Sequence, residues 1–194
     1  MDLIKEGFEL ILKGLSEKFN LDITDENFRE TPERVSRAYD EIFSGLINTK
    51  EQINEVLKKS FPCSFSEMII AKNIKVFSMC PHHFLPVQYT IHVSYIPETG
   101  GRVLGISKLS RIVEILAKRP VLQEQLVDDV TECLMGIDKV SGAACVSSGV
   151  HFCMAMRGVK QYESDTIMSS LKGIFRQDSH KGAAARSEFM SLIK

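Results

Sequence analysis

Cys80-Pro81-His82-His83 sets a thiol and an imidazole three residues apart, and His151-Phe152-Cys153 sets another such pair two apart. A Cys and a His with the first spacing, in a turn, can both reach one tetrahedral Zn²⁺. Residues two apart on a strand share a face, and the stretch 143–157 alternates in that way. Ala144, Val146, Val150, Phe152, Met154 and Met156 form an apolar face; Cys145, Ser147, His151, Cys153 and Arg157 form the other. The alternation predicts that His151, Cys153 and Arg157 converge on one side. The two clusters together offer Cys80, His82, His83, His151 and Cys153, more soft ligands than a metal needs. A catalytic zinc takes three protein ligands and keeps one position for water, so histidines would be left over to carry protons. Either cluster alone is matched equally well by buried thiols and hydrogen-bonded histidines. The pair of clusters favours a metal. Cys63, Cys133 and Cys145 have no such neighbours in sequence and read as buried thiols.

A third group is basic. Ser107, Lys108 and Arg111 stand at a helix start, and Arg157 lies beside the proposed metal face. A helix N-terminus with a hydroxyl and cations suits phosphate oxygens, although charges on a helix are more often a solvated face. Glu124 lies off the apolar stripe of its helix, where an exposed carboxylate is the ordinary outcome.

The elements that must position these residues follow from periodicity. Leu3, Ile4, Phe8, Ile11, Leu12 and Leu15 predict an amphipathic helix over 2–19. Thr31 as N-cap, with Pro32 and Glu33 behind it, opens a second helix to about Phe43. A short third helix spans 50–59. Residues 67–79 and 87–96 then read as strands, with Val87, Tyr89, Ile91, Val93 and Tyr95 facing one way. Ser107 caps a helix carrying Leu109, Ile112, Val113 and Leu116, and Pro120 opens another to about Ile137. After the strand at 143–157 the chain turns polar from Gln161, with a last helix at 184–193. Helices, strands, helices and a strand in this order make an α+β protein with an antiparallel sheet. The division expected is a helical region at 1–62 and a catalytic domain at 63–194.

Composition sets the class. The chain has 194 residues, 44% of them hydrophobic and 25% charged, which excludes wholesale disorder. Lys and Arg number 24 against 25 Asp and Glu, a balance that argues against a nucleic-acid binder. Asp2, Lys5, Glu6, Glu9 and Lys13 interrupt any signal-peptide core, and no apolar run is long enough for a membrane span. A cytoplasmic protein is expected. An odd count of five cysteines fits buried thiols or metal ligands better than a disulfide framework.

These motifs stand in a familiar order. Glu30-Thr31-Pro32-Glu33-Arg34-Val35 and Asp40-Glu41-Ile42-Phe43-Ser44-Gly45-Leu46 come first. Cys80-Pro81-His82-His83-Phe84, Ser94-Tyr95-Ile96-Pro97, Gly105-Ile106-Ser107-Lys108-Leu109, Ala117-Lys118-Arg119-Pro120, Gln123-Glu124 and His151-Phe152-Cys153 through Arg157-Gly158 follow. In this the chain resembles the GTP cyclohydrolase I family, zinc enzymes that convert GTP into 7,8-dihydroneopterin triphosphate. The likeness runs from about residue 20 to the C-terminus.

The resemblance implies a tunnelling fold, an antiparallel sheet with two helices packed on one face. Subunits would join their sheets into a barrel, and two such rings would stack into a homodecamer with active sites between subunits. Cys80, His83 and Cys153 then correspond to the zinc ligands. His82 corresponds to the histidine beside the reacting water, and His151 to a second proton carrier. Glu124 corresponds to the carboxylate that grips guanine. Ser107, Lys108, Arg111 and Arg157 correspond to triphosphate contacts, with Arg34 and Arg37 as further ones. Two departures stand out: Pro81 replaces the family's usual acidic residue, and the segment from Gln161 to Ser170 is less Thr-rich than the family's. Pro81 leaves open a relative that stops at the formamide or takes another purine nucleotide. A zinc-containing binding subunit without turnover is a further alternative.

Overall fold

The computed structural model describes residues 1–194 and divides into two compact units, Met1–Ser44 and Gly45–Lys194. In the first unit α1 spans Leu3–Phe19 and α2 spans Thr31–Ile42. Asp2 caps α1 by accepting from the amides of Ile4 and Lys5, both at 3.1 Å. Its second carboxylate oxygen accepts from Ser36 of α2 at 2.6 Å. Phe8, Tyr39 and Phe43 pack edge to face between the two helices, with centroids 5.7 and 4.8 Å apart. Thr31, expected as the cap of α2, is its first helical residue; Glu30 precedes it and caps no amide through its side chain.

The second unit opens with α3 (Thr49–Lys58) and a short strand β1 (Ser60–Pro62). β2 (Ile69–Met79) and β3 (Pro86–Pro97) form a hairpin, and β4 (Arg102–Leu104) returns to pair with β1. Two helices follow, α4 (Ser107–Ala117) and α5 (Gln123–Met135), then β5 (Val140–His151). A single helical turn α6 (Phe152–Ala155), strand β6 (Thr166–Gly173) and helix α7 (His180–Ile193) complete the chain. The main sheet is antiparallel, four-stranded and ordered β2-β3-β5-β6. The expected α+β class with an antiparallel sheet is therefore what the chain forms.

The alternation of β3 is realised in full. Val87, Tyr89, Ile91, Val93 and Tyr95 are all 0% exposed. They meet Leu109, Ile112 and Val113 of α4 and Leu126, Val130 and Leu134 of α5 in one core. Cys145 joins that core, while Ala144 and Val146 point into a second one with Phe175 and with Ala185 and Phe189 of α7. β5 is thus buried on both faces along its middle.

Several boundaries differ from the expected ones. The strand predicted over 143–157 stops at His151, and Phe152–Ala155 turns helical. The polar stretch after Gln161 holds a full strand, β6. The helix expected from Pro120 starts at Gln123, because Pro120 bridges to Met79 and the Val121 amide donates to Met79 at 3.2 Å. Ser107 is the first residue of α4 and not its cap. The last helix starts at His180, not 184, where Ser179 accepts from the Gly182 amide at 3.1 Å.

Candidate metal centre and its surroundings

The β2–β3 hairpin and the end of β5 bring the two Cys/His clusters together. Val87, at the start of β3, pairs with His151, the last residue of β5. The hairpin loop therefore sits beside α6. Within that loop the Cys80 amide donates to Leu85 and the Phe84 amide donates to Cys80, each at 2.9 Å, with Phe84 at φ 52°. Neither bond uses the amide that Pro81 lacks, so proline enters this turn without cost to its hydrogen bonding.

The loop aims Cys80 and His83 at Cys153. Their ligand atoms all lie within 4.8 Å of one another. Cys80 Sγ is 3.9 Å from His83 Nδ1. A tetrahedral zinc about 2.3 Å from sulfur and about 2.0 Å from nitrogen spaces such donors about 3.5 Å apart. Two thiols and an imidazole are a zinc-type set that leaves a fourth position open, and the residues fit the ion. Burial and the adjacent Cys80 thiol push the Cys153 pKa up, while Arg157 pulls the other way. A cation among them would relieve that strain on the thiolates.

Arg157 reaches the cluster from the other side, with Nη1 2.8 Å from His83 Nε2. Cys153 and Arg157 thus converge as expected, but by a different route. They are placed by a helical turn and the loop behind it, not by strand alternation. His82, exposed in the loop, packs edge-on to His83 with ring centroids 6.4 Å apart.

His151 is fixed by Gln123, a residue named above only as part of a motif and given no role there. Gln123, 2% exposed, donates through its amide to Ser147 O at 3.2 Å, Ser147 Oγ at 2.9 Å and Thr166 O at 2.9 Å. With its nitrogen so committed, its Oε1 is the acceptor facing His151 Nε2 at 2.9 Å and Thr166 Oγ1. The signal in sequence is a polar residue on a buried helix face: Gln123 shares that face with Leu126, Val127 and Val130. Burial lowers the His151 pKa, and the neighbouring Glu124 carboxylate pulls it up. Glu124 itself is exposed in the first turn of α5.

The family model for GTP cyclohydrolase I matches residues 4–194. The chain belongs to this family. A GTP cyclohydrolase 1 of Dehalococcoides mccartyi is 43% identical over 191 residues, covering 98% of this chain and 95% of that one. That of Thermoanaerobacter pseudethanolicus is 42% identical over 189 residues, covering 97% and 96%. That of Streptomyces griseus is 43% identical over 168 residues, covering 87% and 80%.

In this GTP cyclohydrolase I family member, Arg157 meets the metal donors, whereas Lys108 and Arg111 line a different feature. Lys108 and Arg111 line a groove of about 420 Å³ between α3 and α4, with Glu51, Glu55 and Lys59 opposite. None of Cys80, His83, Cys153, His151 or Glu124 lines it. Ser107 is exposed at the start of α4. Arg34 and Arg37 are exposed on α2 of the first unit, Arg34 paired with Glu30 at 2.8 Å. No helix of the chain is long and apolar enough to cross a membrane.

Proposed function

We propose that this chain catalyses the GTP cyclohydrolase I reaction, opening the guanine of GTP at C8, releasing formate and reclosing the product as 7,8-dihydroneopterin triphosphate. The observation that carries the reading is the meeting of Cys80, His83 and Cys153 within 4.8 Å, in a chain of this family. Those three residues would hold a zinc ion. When bound there, zinc supplies Lewis acidity and a water acidified toward neutral pH.

The remaining chemistry falls to the chain's own groups. Guanine C8 becomes electrophilic once N7 carries a proton, and His82 supplies that proton. A first water adds at C8. Cleavage of C8–N9 with proton transfer to N9 then leaves a formamide on N7, and a second water cleaves its C–N bond to give formate and the free amine. His151, with Nε2–H committed to Gln123, keeps Nδ1 to take or return a proton in these steps. Glu124 accepts from guanine N1–H and the 2-amino group. Adenine lacks that donor pair, and a carboxylate stripped of water by the bound base but left unpaired is costly. Ser107, Lys108, Arg111 and Arg157 bind the triphosphate, joined by Arg34 and Arg37.

The separation of the Lys108–Arg111 groove from the metal donors supports a site completed across subunits, one chain's cations facing another's metal cluster. The sheet supports the same assembly. β2 and β6 are its outer strands, and Phe77 on β2 and Ile167 on β6 are 62% and 68% exposed. Edge-to-edge joining of subunits into a barrel of the tunnelling type, and stacking into a homodecamer, would close those edges. A cytoplasmic location is part of the same proposal.

The test is to incubate zinc-loaded protein with GTP and to follow formate and pterin fluorescence together. Both products are expected. Formate or an opened-ring nucleotide without pterin would instead mark an altered cyclohydrolase, and unchanged GTP would overturn the reading.

A further inference from the structure

One hydroxyl beside the metal donors has no partner. Tyr89 is 0% exposed, and its phenol oxygen makes no hydrogen bond within the chain. Its ring stands edge-on to His151, centroids 6.0 Å apart. It lies over Gly149, its partner on β5, where an added Cβ would come within 2.6 Å of the Tyr89 ring. The ring therefore fills a slot kept open by a glycine and runs into the core that contains Cys80. A buried hydroxyl without a partner costs about 1–3 kcal/mol. Such a cost in the wall of a site calls for a partner present in the working state.

We propose that Tyr89 is a positioning residue of the metal centre, its hydroxyl donating a hydrogen bond to the Cys80 thiolate when a metal is bound. After burial, the group that acts most strongly on this phenol is Cys80, ahead of Glu124 and Cys153. Burial raises its pKa far above the ordinary phenol value, so it is a donor at every working pH. Metal binding converts Cys80 from a neutral thiol, a weak acceptor, into a thiolate, a strong one. A hydrogen bond to a ligating atom steadies it and tunes its affinity for the metal. The proposal rests on the metal-site part of the reading above and not on the reaction.

Tyr89→Phe removes the hydroxyl and keeps the ring. Zinc affinity is measured by competition with a chromophoric chelator, and the sulfur-to-metal band of the cobalt(II)-loaded protein is recorded. The variant is expected to bind zinc about tenfold more weakly and to shift that band. Its metal-free form is expected to melt no lower than the wild type, since the unpartnered group is gone. Ser94 is the other buried hydroxyl without a partner, five residues along the same strand and about 16 Å away. Ser94→Ala is expected to leave affinity and band unchanged. Tyr89→Phe protein with unaltered affinity and band would overturn the proposal, as would an equal loss in Ser94→Ala. A wild type that binds zinc but leaves GTP intact would overturn the functional reading alone.

Discussion

His151 Nε2 donates to Gln123 Oε1 at 2.9 Å, and the amide nitrogen of the same glutamine is held by Ser147 and Thr166 on two neighbouring strands. A histidine is thus fixed in one tautomer by a side chain that is itself unable to flip. Gln123→Ala is expected to strand the His151 and Thr166 donors. The expected cost is about 2–3 kcal/mol in urea denaturation. Formate release is expected to fall about a hundredfold. Normal turnover in the alanine variant would show that His151 needs no such support.

His82 is exposed and packs edge-on to the His83 ring. His82→Ala is accordingly expected to abolish pterin formation while retaining metal at wild-type stoichiometry. Metal content by atomic emission, measured alongside pterin fluorescence, separates the two effects. Full activity in this variant would remove His82 from the mechanism.

Outside the site, His92 on β3 accepts from the Asn73 amide at 3.4 Å, where Asn73 forms a bulge in β2 at φ 60°. Burial, with help from Lys72, holds the His92 pKa below 6.5. A depressed folded pKa favours the neutral form, so the contribution of His92 to stability is complete above 6.5 and is lost as pH falls through the folded value. The group is only part-buried, and the effect will be small. His92→Gln is expected to flatten the fall in melting temperature between about pH 7 and pH 5.

Stripping the metal under air should join Cys80 to Cys153, whose ligand atoms lie within 4.8 Å of one another and of His83 Nδ1 or Nε2. The other thiols should stay free. Burial drives the Cys145 pKa far up, and burial with Asp129 nearby pushes Cys133 up to about 11, leaving little thiolate at either. Peptide mass mapping of the oxidised protein would show one bridge. Two free thiols at 80 and 153 would contradict the geometry.

Particular residues show where sequence periodicity is informative. β3 was legible because five of its alternate residues all enter one core. β6 was not, because its inward side chains are matched to the polar side of a helix. Ser170 bonds Thr131 at 2.8 Å and Asp128 at 3.1 Å, and Lys172 pairs with Asp128 at 2.9 Å. A strand held through hydroxyls and ions carries no apolar alternation. The end of β5 was hidden for the opposite reason. Apolar alternation runs on through Met154 and Met156, although the backbone has already turned helical at Phe152. Residue type and spacing alone drew attention to Cys80, His83 and Cys153, because soft ligands are scarce in the chain. Gln123 escaped because its role depends on Ser147, Thr166 and His151, which are distant in sequence and meet only in the folded sheet.

The close approach of Gly149 to the Tyr89 ring also ties two positions together through time. With 2.6 Å between a would-be Cβ and the ring, no side chain can appear at 149 while an aromatic stands at 89. Lineages can therefore exchange these residues in one order only, shrinking 89 before enlarging 149. Descendants of this chain should carry at most one large residue at the pair.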